Sequence, residues 1–94
     1  MATIPVIDDE RMLCDLLREL LRRQGHEVYT AFSGREGIET FRQQRPRFTL
    51  LDLHLPDMNG IEVLREIREI DQKGSVMILT GAASDKLERQ ARLS

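Results

Sequence analysis

Residues 48–53, Phe-Thr-Leu-Leu-Asp-Leu, constrain the fold more than any other stretch of the chain. The run is short, nearly continuous in apolar residues, and bounded by Pro46 and by the turn residues of Leu55-Pro56-Asp57-Met58-Asn59-Gly60. Such a strand is buried on both faces, as in a parallel sheet covered by helices. Besides Thr49, one polar residue interrupts it. A carboxylate at Asp52, close to the end of a buried apolar strand, is expensive unless it has a partner or a function.

The rest of the chain alternates in the same style. Thr3 to Ile7 reads as a first strand ending in Asp8-Asp9-Glu10. Met12, Leu13, Leu16, Leu17, Leu20 and Leu21 then recur at helical spacing, and Gly25 stops that helix. Glu27 to Thr30 is a short second strand. Ser33 and Glu36 form an S-x-x-E capping box, opening a helix with Ile38 and Phe41 on its inner side. After the third strand, Leu64, Ile67 and Ile70 form the inward stripe of another helix. Ser75 to Leu79 is a fourth strand, and Ser84 caps a fourth helix beginning near Asp85. The order βαβαβαβα predicts an α/β fold, a doubly wound parallel sheet. A length of 94 residues holds one domain at most, and no repeat, low-complexity segment or linker divides it.

Composition excludes several function classes. A formal charge of -2 provides no general basic field, so no direct nucleic-acid contact is expected. No apolar run approaches a membrane span, and the N-terminus lacks the charged start and apolar core of a signal peptide. The single cysteine, Cys14, excludes an intramolecular disulfide and reads as a small buried residue on a helix. A cytoplasmic location is the expectation.

Open parallel sheets bind ligands at the carboxyl ends of their strands. Asp8 and Asp9 end the first strand, Asp52 the third and Thr80 the fourth. Taken alone, Asp8 and Asp9 read first as a helix N-cap with a favourable dipole charge. Together with Asp52 they are three carboxylates on one edge, which repel one another unless a cation neutralises them. Oxygen-only donors suit a hard divalent ion, Mg²⁺ being the usual one where a phosphoryl group is handled.

Val6-Ile7-Asp8-Asp9-Glu10, the stretch LLDLHLPDMNGIEVL at 50–64 and MILTGAAS at 77–84 resemble, in this order, the CheY-like receiver domain of bacterial two-component response regulators. The resemblance implies a flavodoxin-like sheet and a phosphorylation-controlled binding module rather than a turnover enzyme. It implies that Asp52 takes a phosphoryl group from a phosphohistidine on a sensor histidine kinase or phosphotransfer protein. Asp9 and Asp52 would ligate Mg²⁺ directly, Asp8 through water, and His54 through its backbone carbonyl. The Thr80 hydroxyl would bond a phosphoryl oxygen and report phosphorylation, while Pro56 and Gly60 shape the loop over the site. The chemistry suits these roles: an ionised carboxylate is already a nucleophile, and phosphoryl transfer asks mainly for positioning and charge neutralisation.

The sequence departs from that family in three places. Receivers continue to a fifth strand and helix, with an aromatic switch position before the strand and a Lys-Pro pair after it. Here the lysines are Lys73 and Lys86, neither in that position, so residues 1–94 are expected to be a C-terminally truncated receiver without an output domain. Pro5 falls in an interior strand, where it removes a ladder donor. Arg47 stands where the family commonly has an acidic residue, and reads as a solvated strand entrance. These misfits support a second reading, a truncated or engineered fragment that no longer signals and self-associates through its exposed fourth-strand edge or by domain exchange. A haloacid-dehalogenase-like phosphatase would want an Asp-x-Asp pair, and residue 54 is His. Kinase choice would depend on the outer face of the first helix, with Arg11, Asp15, Arg18 and Arg22, although such charged faces are usually only solvated.

Overall fold

Four parallel strands and three helices make up the described part of the chain, residues 2–79 of a computed structural model. The strands are β1 (Thr3–Ile7), β2 (Glu27–Ala31), β3 (Phe48–Asp52) and β4 (Ser75–Leu79), and the helices α1 (Arg11–Arg23), α2 (Gly34–Gln44) and α3 (Gly60–Ile70). The sheet order is β2-β1-β3-β4. From β1 the chain steps to one side, and from β2 it returns over β1 to β3. Parallel crossovers are right-handed, so steps in opposite directions put their helices on opposite faces. The expected doubly wound, flavodoxin-like arrangement is present. Thr80, Ser84 and the stretch expected to form a fourth helix lie outside the described residues.

Strand parity sorts the core into two layers. Ile7, Ala31 and Leu51 point to one face and pack with Ile38 and Phe41 of α2 and Val63 and Ile67 of α3. Val6 and Val28 point to the other, against Cys14, with Leu17 and Leu21 of α1 around them. The inner residues expected of α2 are both buried. In α3 the fully buried positions are Val63 and Ile67, with Leu64 and Ile70 half-buried beside them.

The apolar stripe of α1 divides. Leu17 and Leu21 pack inward, but Met12 is 83% exposed, and Leu16 and Leu20 are exposed as well. A helix with six apolar residues in two adjacent rows presents a wider arc than one sheet face covers among the described residues. Phe48 and Met77, which share one parity of β3 and β4, are exposed on the sheet. Burial of β3 on both faces therefore holds at its Asp52 end and fails at Phe48. Among the described residues β4 is an edge strand.

Pro5 does sit inside β1, in register with Tyr29 of β2, and its ring is fully buried. The N–H of Asp8 donates to the Ala31 carbonyl and that of Glu27 to the Ala2 carbonyl, so even-numbered residues of β1 face β2. Alternation then directs the donor that Pro5 lacks toward β3. The β1–β3 ladder begins only at Val6↔Leu50 and continues with Ile7↔Leu51. The chain accommodates the proline by starting that ladder one residue after it. Extending the register back sets Pro5 against Thr49, whose buried hydroxyl has no hydrogen-bond partner among the described residues. Arg47 is exposed, as a solvated strand entrance should be, and its carbonyl accepts from the Ser75 N–H.

Candidate functional site

The sheet reverses its direction of winding between β1 and β3, and ligands of open α/β sheets bind at the carboxyl ends beside such a reversal. Asp52 is the last residue of β3, and Asp8 and Asp9 directly follow β1. One step past the pair Ile7↔Leu51, the shared register sets Asp8 opposite Asp52. Asp8, Asp9 and Asp52 each present a carboxylate oxygen within 4.8 Å of the others. Asp8 and Asp52 are buried, while Asp9 is exposed to solvent at the mouth.

The backbone under this cluster is tied on two sides. Asp8 donates its N–H to the Ala31 carbonyl at 2.9 Å, and its own carbonyl accepts from the Cys14 thiol at 3.2 Å. Its carboxylate Oδ1 accepts from the Glu10 N–H at 2.9 Å. Neither Asp8 nor Asp9 caps α1, because the N-cap is Glu10 and makes no side-chain cap bond. The helix-cap explanation of the two aspartates therefore falls, since Asp8 bonds a residue ahead of the helix.

Burial pushes the Asp8 carboxyl pKa up. The Glu10 N–H opposes that rise, and the charges of Asp52, Asp9 and Glu10 add to it. A buried anion held among other anions is short of positive charge. The donors are all oxygens and lie close together, which is the donor set of a hard divalent cation such as Mg²⁺. The residues present fit that ion. Burial, followed by the charges of Asp8, Asp15, Asp9 and Glu10, pushes the Cys14 thiol up to about 11, so the cysteine is a packing residue and a backbone tie.

The loop from Leu53 to Asn59 walls the site. The His54 N–H donates to Asp52 Oδ1 at 3.3 Å, and His54 pairs across the loop with Asn59 in an antiparallel bridge. Its imidazole is exposed and lies outside the carboxylate cluster. Asn59 caps α3, its Oδ1 accepting from the Ile61 N–H at 2.8 Å. Gly60 donates to the Leu53 carbonyl at 2.7 Å, and a Cβ there would lie 2.5 Å from both the Asp52 carbonyl oxygen and Leu53 Cα. Only glycine permits α3 to begin so close to the end of β3, which is the place Gly60 was expected to fill.

Sequence reading missed two features around the site. Asp57, taken as a turn residue, accepts from the N–H groups of Gly34 (2.7 Å) and Arg35 (3.0 Å) at the start of α2. Arg11, grouped with the solvated face of α1, lies over the Phe32 ring at 4.1 Å, a cation–π contact at the rim. Both partners are remote in sequence, and no local pattern announces them.

Comparison with known proteins agrees with this geometry. The family model of the response regulator receiver domain matches residues 4–93. The transcriptional regulatory protein AfsQ1 of Streptomyces coelicolor is 40% identical over 85 residues, covering 90% of this chain and 37% of the relative. The chain thus spans little more than a third of that relative's length. The CheY-like receiver domain protein of Methanospirillum hungatei superposes with a TM-score of 0.83 at 27% identity, over 86% of this chain and 65% of that one. The response regulator TrrA of Thermotoga maritima, solved in complex with Mg²⁺-BeF, gives 0.80 at 35% identity, over 85% and 70%.

Proposed function

The chain belongs to the response regulator receiver domain family, and from that premise we propose that Asp52 accepts a phosphoryl group from a histidine kinase or phosphotransfer protein, with Mg²⁺ held by the neighbouring aspartates. The observation that carries this reading is the convergence of Asp8, Asp9 and Asp52 within 4.8 Å at the ends of β1 and β3. A receiver is a regulatory domain of two-component signalling, and its product is a changed surface for a partner.

An Asp52 carboxylate oxygen attacks the phosphorus of a phosphohistidine. A P–O bond forms, the P–N bond breaks, and its electron pair returns to the imidazole nitrogen. No base is needed, because the carboxylate is the nucleophile in its ionised state. Asp52 is held for attack by its place at the end of a rigid strand and by the His54 N–H on Oδ1. A bound Mg²⁺ supplies charge neutralisation for the carboxylates and the incoming phosphoryl oxygens. Asp9 and Asp52 would hold it directly, Asp8 through water, and His54 through its carbonyl. Thr80, following β4, is assigned the phosphoryl-sensing hydroxyl, because a rotating O–H adapts to a new acceptor.

The reading takes residues 1–94 as one regulatory domain working in the cytoplasm, with no direct nucleic-acid contact of its own. Among the described residues no helix is long and apolar enough to cross a membrane. The alternative, a self-associating fragment that no longer signals, draws no support from the comparisons. The test is incubation with a small acyl phosphate such as acetyl phosphate, followed by intact mass. A gain of one phosphoryl group that requires Mg²⁺ and disappears in Asp52→Asn is expected. No gain in a folded sample would overturn the proposal.

A further inference from the structure

The loop that walls the carboxylate site is anchored at both ends by its own hydrogen bonds: the Gly60 N–H donates to the Leu53 carbonyl, the His54 N–H to Asp52 Oδ1, and the Ile61 N–H to Asn59 Oδ1. Those bonds join the loop to the end of β3 and the start of α3, while its seating against the rest of the domain is set at its apex, Pro56 to Met58. Two contacts set it, and both reach the first turn of α2. The Asp57 carboxylate accepts from the Gly34 and Arg35 N–H groups, one on each oxygen. The adjacent Met58 side chain lies where a Cβ on Gly34 would be, so a methyl group at that position would collide with it.

These two contacts differ in chemistry and meet at one spot. A carboxylate on the free N–H groups of a helix start gains both the charge-assisted bonds and the field of the helix. The same two N–H groups draw the Asp57 pKa down from its ordinary value, Arg35 contributing first and Gly34 second. Ser33 already caps α2 through the Glu36 N–H at 3.1 Å. Asp57 is therefore a second cap, supplied from another part of the chain to donors that Ser33 leaves free. Capping α2 alone could be done by a local residue. A cap delivered from the site loop also orders that loop.

We propose that Asp57 is a positioning residue of the metal site: by locking the loop apex onto the first turn of α2, it fixes the backbone at His54 in the place where its carbonyl serves as a ligand. The proposal rests on the Mg²⁺ reading above. Residues that support metal ligands without touching the metal commonly alter affinity by tenfold or more when removed. Loss of Asp57 leaves the three aspartates in place and frees the loop, so Mg²⁺ binding weakens while the fold persists.

The experiment uses the 94-residue chain and Mg²⁺ alone, with affinity from isothermal titration and backbone amide shifts from the metal-free protein. Asp57→Ala is expected to weaken Mg²⁺ binding about tenfold and to shift the His54 and Gly34 amide resonances without metal. Asp57→Asn, which keeps one acceptor oxygen, falls between, and Gly34→Ala weakens binding by displacing Met58 from the other side. Asp15→Ala, an exposed carboxylate on α1, binds like the parent. A folded Asp57→Ala that keeps its Mg²⁺ affinity within about twofold, below the effect expected of a supporting residue, overturns the proposal even if its stability drops, because a purely structural cap predicts that outcome. If Asp57→Ala does not fold, Asp57→Asn decides by the same criterion. A parent chain that binds no Mg²⁺ overturns the metal reading itself. The metal-free amide shifts then show separately whether Asp57 orders the loop, and unmoved His54 and Gly34 resonances would mean that it does not.

Discussion

Asp8, the residue directly after β1, lies opposite Asp52, the last residue of β3, when the β1–β3 register is extended by one step, and both residues are buried, at 4% and 8% exposure. The Asp52 charge therefore works against ionisation of Asp8. Asp8 carries the visible consequence, a pKa raised above 3.8, first by burial, with the Asp52 charge contributing. The sign for stability follows from linkage. A carboxyl with a raised folded pKa binds more protons folded than unfolded, so its ionisation opposes folding as pH rises above the unfolded value. We expect the metal-free chain to lose stability on that account as pH climbs through the Asp8 transition toward neutrality. Asp8→Asn, which keeps an oxygen for the Glu10 N–H, should raise the metal-free melting temperature at pH 7 by a few degrees and remove this component of the pH dependence. The check is thermal unfolding by circular dichroism across a pH series from pH 4 to pH 7. An Asn variant that melts below the parent at pH 7 would contradict the account.

Gly60 is where a single methyl group should do the most damage. A Cβ placed 2.5 Å from the Asp52 carbonyl and from Leu53 Cα meets backbone rather than a flexible side chain. Gly60→Ala is expected to cost about 1–3 kcal/mol, the range for forced overpacking, and to lower phosphorylation of Asp52 because the relief must move the end of β3. Urea unfolding gives the first quantity and intact mass after acetyl phosphate the second. An Ala variant with parental stability would contradict the close approach.

Pro5 is accommodated rather than required. Pro5→Val supplies an N–H toward β3 and a side chain suited to a buried strand. A ladder bond contributes about 1 kcal/mol, offset by about 0.5 kcal/mol for the chain freedom that proline withholds from the unfolded state. The expected net is a stabilisation of about 0.5 kcal/mol, the difference of those two contributions, read as a higher urea midpoint at unchanged slope. A lower midpoint would show that the interruption of the β1–β3 ladder is not a consequence of the proline.

Cys14 should be inert while the chain is folded. Its thiol, pushed up to about 11 by burial, is protonated at pH 8 and donates to the Asp8 carbonyl. Alkylation with iodoacetamide at pH 8 should proceed at least tenfold slower in the native state than in urea, as expected of a buried structural thiol. Equal rates would mean that α1 opens readily.

Much of this was legible in the residues. The order of elements follows from runs whose periods differ, and each strand from the first to the fourth falls where its apolar run lies. Ser33 announced α2 because an N-cap is a local device, and the Asp cluster was readable because strand ends gather on one edge of a parallel sheet. What escaped was tertiary. Periodicity identifies the apolar rows of α1 but not which row is covered, so Met12, Leu16 and Leu20 were grouped with Leu17 and Leu21. Asp57 looked like any turn aspartate, since its partners Gly34 and Arg35 belong to another helix. Pro5 looked like an obstacle because the sequence does not say which neighbour its missing donor would face.

The central claim is that Asp52, among three clustered carboxylates, is the phosphoacceptor. Its most direct test is to phosphorylate the chain with acetyl phosphate and Mg²⁺, trap the acyl phosphate by borohydride reduction, and map the modified peptide. The account predicts reduction at Asp52 alone, in a Mg²⁺-dependent yield. Modification at Asp8 or Asp9, or none in a folded sample that binds Mg²⁺, would contradict it.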